Sequence, residues 1–238
     1  MLGLMKRHSR ESILSALRND EPVLGVLRNL EQYYTQFFEQ HADSTMKPIM
    51  DSILKESKIN VQQAAGANFV IDEMPANVQQ LVDQVYQQNK KFVMSLPGSY
   101  IDKMREPVTD FVASRAGTTL SDVISAVKQA SEFTGNRAHR EAMDLVRGAY
   151  QGVAIERAKS TGAKTGIWIH AYGKGGNPRH RHLQANGEEF DLNTGIFLTG
   201  PLKGQGAGYG DDDSERVQPG EAKYCHCTFK LKIDFGVQ

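Results

Sequence analysis

The sequence predicts an α+β fold, mainly helical over its first two-thirds, with a small β-containing module at the C-terminus. Two observations carry this. Up to about residue 160, apolar residues recur at three- and four-residue spacing, as one-sided helices require. Beyond Gly162 glycine becomes frequent, and aromatic and β-branched residues gather in short runs bounded by turn residues.

The elements follow in order. Ser9 is placed to cap a short helix whose Ile13, Leu14 and Leu17 share one face. A longer helix follows Pro22, with Val23, Val26, Leu27, Leu30, Tyr33, Tyr34, Phe37 and Phe38 along its stripe. That aromatic run reads either as helix-packing core or as a docking surface for a partner helix. Ile49, Ile53 and Leu54 mark another helix, and Phe69, Val70 and Ile71 fit a short extended piece in an ambiguous stretch. Asn77 opens a helix carrying Val78, Leu81, Val82, Val85 and Phe92, expected to end before the Pro97-Gly98 turn signal. Pro107 suits the first turn of the next helix, with Gly117 as its stop. Thr119 and Asp122 have capping-box spacing ahead of Val123, Ile124 and Val127. Gly135-Asn136 is expected to break the pattern, leaving a last long helix from about Arg137 to Lys159.

In the C-terminal part, residues 167–172 (IWIHAY) read as a strand, and EEFDL and GIFL as short strands or turns. Asn186-Gly187 is a tight-turn pair expected to join two short strands. Residues 200–215, rich in glycine, read as a mobile loop. GQGAGYG within it lacks the spacing of a phosphate-binding loop, and Asp211, Asp212 and Asp213 lack the calcium-loop pattern. Residues 225–233 alternate, placing Cys225, Cys227, Phe229, Leu231 and Ile233 on one face and His226, Thr228, Lys230 and Lys232 on the other. The chain thus divides into a helical docking region over 1–97, helices leading into the module over 98–161, and the β-containing module over 162–238.

Composition narrows the function. The 238 residues are 24% charged and 39% hydrophobic, which is a globular balance. Lys plus Arg and Asp plus Glu each number 28, so net charge is zero. That argues against a role resting on phosphate neutralisation, though a local basic patch stays open. No apolar run is long enough to cross a bilayer, and MLGLMKRHSR makes a poor signal peptide. Cys225 and Cys227, the only cysteines, stand too close in sequence for an unstrained disulfide. These features fit synthesis in the cytosol.

The chemistry concentrates between Trp168 and Cys227. His170, His182, Cys225 and Cys227 offer two imidazoles and two thiolates, a suitable set for tetrahedral zinc, with His180 and His226 as substitutes. Four protein ligands would leave no open position, so such a zinc is structural. The other reading makes both cysteines core hydrophobes beside Phe229 and Leu231. An alternative function is a metal-dependent nuclease or toxin-like domain, with His182 as general base and Arg179 or Arg181 on the phosphate. It gains little support, since residues 183–224 contain no further histidine.

Together these residues make the chain resemble the Mu F-like family of phage head morphogenesis proteins, the minor head proteins. Trp168 matches the family's tryptophan, Arg179 and His182 its Arg-x-x-His, and Asn186-Gly187 its turn. Pro219, Gly220, Glu221, Cys225 and Cys227 match the closing stretch, with His226 where the family carries arginine between the cysteines. Gly117 to Asp122 and Arg137-Ala138 match the helices ahead of the tryptophan. The resemblance covers roughly residues 100 to 235. It implies a structural protein of a tailed bacteriophage head, bound at or near the portal and acting in head assembly and DNA packaging or ejection. It implies no reaction. The implied partners are the portal protein, then the major capsid or scaffold protein and genomic DNA, with no membrane. The implied location is the virion head near the portal vertex, reached from the host cytoplasm.

Overall fold

The computed structural model describes residues 2–19, 21–65, 74–114, 120–171, 179–210 and 214–232. The extended piece at Phe69 to Ile71, the Gly117 stop, the Thr119 cap, Tyr172, the three aspartates from Asp211 and the strand residue Ile233 lie outside them. The fold is α+β and mainly helical. Its elements are α1 (Leu2–Arg18), α2 (Val23–Ala65), α3 (Ala76–Ser114), α4 (Leu120–Ser160), β1 (Thr165–Ile169), α5 (His180–Gln184), β2 (Glu189–Asp191) and β3 (Thr228–Lys232). None of the described helices is long and apolar enough to cross a membrane.

The helices are fewer and longer than local punctuation predicts. The helix expected at Ile49 is the continuation of α2, which runs through Pro48. The one starting at Ala76 does not stop at Pro97-Gly98 but passes through both Pro97 and Pro107. Likewise α4 runs through Gly135-Asn136 without a break. A proline inside a helix costs about 3 kcal/mol, while fully burying one large apolar side chain returns roughly 1.5–3 kcal/mol. Around Pro97 and Pro107, Leu96, Tyr100, Ile101, Met104 and Val108 are all buried on one face of α3. Their burial outweighs the two breaks. At the glycine break, Arg137 donates from Nη1 to Ser99 Oγ at 2.7 Å, fixing α4 one turn beyond buried Thr134.

Contacts divide the chain into two compact units, one made of Met1–Met46 and Gln88–Ala142 and the other of Lys47–Gln87 and Met143–Gln238. The described elements of the first are all helices. Met5, Ser9, Ile13 and Ala16 form the buried face of α1, so Ser9 is an interior residue and not a cap. Its hydroxyl lies 2.9 Å from Tyr34 Oη, which donates to the Met5 carbonyl at 3.0 Å. The expected aromatic stripe splits accordingly: Tyr34 and Phe38 are core, while Tyr33 is 47% exposed.

The second unit holds the later part of α2, the start of α3, the end of α4 and the small sheet, whose antiparallel order is β2-β1-β3. Residues 167–169 of the expected strand are in β1, which starts at Thr165. Gly166 and Trp168 point inward from β1. A side chain at Gly166 would meet the Phe190 ring at 3.1 Å, so glycine lets β2 close on β1. The alternation after Cys225 holds for the described residues. Cys225 and Cys227 are buried in one apolar cluster with Trp168, Phe190 and Phe197, and Phe229 and Leu231 pack against it. On the other face, Arg147 donates to His226 Nε2 at 3.2 Å and Gln151 to Thr228 Oγ1 at 3.0 Å.

Two expectations here need correction. Asn186-Gly187 joins α5 to β2 rather than two strands; it is a turn, with Gly187 at φ 85°. The glycine-rich loop is not simply solvated. Ala207 is buried, and Gly206 and Gly208 donate their N–H groups to the carbonyls of Ser214 and Glu215.

Candidate metal centre

The donors enter from two places in the small module, α5 and the segment leading into β3. The short helix α5 sets His182 facing the sheet, because Arg179 and Arg181 just ahead of it are tied to neighbouring loops. Arg179 donates to the Lys223 carbonyl at 2.6 Å, and Arg181 to Gln205 Oε1 at 2.9 Å and the Gly206 carbonyl at 2.8 Å. Cys225 and Cys227 arrive on the inward face of the segment entering β3. Trp168, in register opposite Phe229, covers the group from β1, its ring edge-on to His182 at 5.4 Å.

His182, Cys225 and Cys227 form a buried group whose ligand atoms all lie within 4.8 Å of one another. His182 Nδ1 is 3.4 Å from Cys225 Sγ and 3.5 Å from Cys227 Sγ. Metal–sulfur bonds of about 2.3 Å and metal–imidazole bonds of about 2.0–2.1 Å, at a tetrahedral angle of about 109°, put nitrogen and sulfur about 3.6 Å apart. The observed spacing is therefore that of two edges of a metal tetrahedron. The far side of the imidazole agrees. Nε2 lies 3.0 Å from the Gly208 carbonyl, which can only accept, so the proton sits on Nε2 and the Nδ1 lone pair faces the sulfurs. A metal-ligating histidine is held in this manner by a backbone carbonyl behind it.

The electrostatics favour negative sulfur. Cys225 is pulled well below the ordinary thiol range, chiefly by a hydrogen bond from Cys227 and against the cost of burial. Cys227, as the donor of that bond and buried besides, is pushed up, with Trp168 and the Arg179 charge acting in the opposite direction. The Cys227 backbone N–H also donates to Cys225 Sγ at 3.4 Å. The Trp168 Nε1–H is fully buried and has no hydrogen-bond partner of ordinary geometry among the described residues. Sulfur donors and a correctly oriented imidazole together fit a bound cation.

Three of the four predicted ligands are thus brought together. The fourth, His170, lies just past β1 and stands outside the group. Its backbone N–H donates to Asn186 Oδ1 at 2.8 Å. Its ring is close enough to feel both neighbours: burial and the His182 charge lower its pKa, while Cys225 raises it. Neither proposed substitute, His180 or His226, joins the group. Gly208 was not legible as a participant, because it acts through a backbone carbonyl. Arg181 was legible only as a charge, not as the clamp it forms. Neither a family model, nor a curated protein, nor a solved structure matches this chain.

Proposed function

We propose that this chain is a structural minor head protein of a tailed bacteriophage, bound at or near the portal, whose C-terminal module is pinned by zinc. His182, Cys225 and Cys227 hold the metal, and His170 rotates in as the fourth ligand. The observation that supports this reading best is convergence. The sharpest residues of the Mu F-like resemblance span some sixty positions of sequence, yet Trp168, His182, Cys225 and Cys227 are assembled in one buried cluster, and Arg179 is tied to the Lys223 carbonyl two residues before Cys225. Residues gathered in this way serve a fold-stabilising centre: two thiolates and imidazole suit zinc, and burial keeps the ion from exchange.

The nuclease reading fares worse on the same geometry. His182 is 2% exposed, and both ring nitrogens are engaged. A general base needs a nitrogen within reach of the proton it takes. Arg179 and Arg181 each spend a donor on a backbone carbonyl, which leaves less of either guanidinium for a phosphate. The helical part, on this account, supplies the docking surface for the portal or capsid.

Co-expression with the portal protein of the same phage genome tests the assignment. The expected result is a complex that survives gel filtration. Failure to bind any portal, capsid or scaffold protein, together with His182-dependent cleavage of DNA or RNA, would overturn it.

A further inference from the structure

We propose that Trp168 belongs to the metal centre itself, its indole Nε1–H donating a hydrogen bond to the Cys227 sulfur of the metal-loaded protein. The inference rests on the metal reading above and names a positioning residue for it. Trp168 heads the largest fully buried side chains of the described residues, and its ring stands edge-on to the ligand His182, with an interplanar angle of 80°. An indole has one donor and no acceptor, and a buried tryptophan normally finds a partner for that donor. Here Nε1 has none of ordinary geometry among the described residues.

The acceptor within its reach is sulfur. Cys227 shares the buried cluster of Trp168 and lies across the β1–β3 pairing on the same face, two residues before Phe229, the register partner of Trp168. A neutral thiol is a weak acceptor. A metal-bound sulfur carries no proton and accepts as an ion does, so loading the site gives the orphaned donor its partner. Packing alone does not ask for tryptophan at this position: the cluster already holds Phe190 and Phe197, and phenylalanine would supply a flat apolar ring without the donor. A hydrogen bond of this kind holds the ligand's orientation and spreads the charge of a two-thiolate site.

The test uses the full chain, reduced and labelled with nitrogen-15. Trp168 is its one tryptophan, so the spectrum contains a single indole N–H peak. On titration with zinc that peak is expected to move downfield. With cadmium-113 in its place, the peak is expected to show coupling to the metal across the N–H···S contact. An indole peak that stays in place and uncoupled while metal binds would overturn the proposal and leave the metal centre standing. In Trp168→Phe, zinc affinity is expected to fall roughly ten- to a hundredfold with far-ultraviolet circular dichroism unchanged. Wild-type affinity in that variant would reduce Trp168 to packing. A wild-type chain that binds neither zinc nor cadmium would remove the metal centre, and this proposal with it.

Discussion

The all-helical unit and the small β-containing module solve the same problem by different means. In the helical unit, backbone hydrogen bonds are met within each helix, and side chains have only to fill a core. Its polar interior is confined largely to single sites such as Ser9 with Tyr34. The module has strands of only three and five residues and a five-residue helix. Most of its described chain lies outside helix and strand, so its loops are fastened by side chains: Arg179 to Lys223, Arg181 to Gly206, Gln218 Nε2 to the Leu192 carbonyl at 3.1 Å. Small folds of this type commonly depend on a staple, and the His/Cys group stands where one is needed. The lesson is that local regularity makes a region self-sufficient, and its absence makes a few side chains decisive.

The sharpest way to break the comparison is to remove a ligand. Structural zinc supplies about 10–16 kcal/mol to small folds near neutral pH. Cys227→Ala, or a strong chelator on the zinc-loaded protein, should therefore remove most of the hydrogen-exchange protection of β1 and β2. Amides over Leu96 to Val108 should keep theirs. Equal loss in both regions would mean that the module has no separate staple.

A smaller effect sharpens the contrast between cores. Phe190 and Met104 are both fully buried, one in each region. Phe190→Ala is expected to cost about 3–5 kcal/mol and Met104→Ala about 2–5 kcal/mol. Metal should rescue only the first in part, which denaturant titration with and without zinc would reveal.

The smallest effect concerns pH. Burial pushes the Tyr34 hydroxyl up to about 12, and Tyr100 beside it is raised for the same reason. The folded helical unit holds these protons more tightly than the unfolded chain does. Its stabilisation is complete below about pH 10 and is lost as pH rises toward 12, at roughly 1.4 kcal/mol per unit for Tyr34. Alkaline unfolding monitored by tyrosinate absorbance should show this dependence, and Tyr34→Phe should flatten it.

Much of this was legible in the sequence, for identifiable reasons. The change of character near Gly162 and the alternation from Cys225 are short-range patterns, and both survive in the fold. The helix ends were misread because Pro97-Gly98 and Gly135-Asn136 are local signals, overruled by side-chain burial on either side. Ser9 looks like a cap in isolation. Only Tyr34, twenty-five residues away, makes it an interior partner. At the candidate site, donor chemistry identified His182, Cys225 and Cys227, but spacing alone did not separate them from His170. The Gly208 carbonyl that orients His182 could not be read at all, since every residue carries one.

Metal stoichiometry tests the central claim most directly. The reduced full chain, loaded with zinc and passed through a desalting column, would be weighed by native mass spectrometry beside Cys225→Ala and Cys227→Ala. The account predicts one zinc per wild-type chain and none in either variant. A wild-type chain that emerges without metal, with both thiols titratable and the module still protected from exchange, would show that the cysteines are core side chains and that the module holds without a staple.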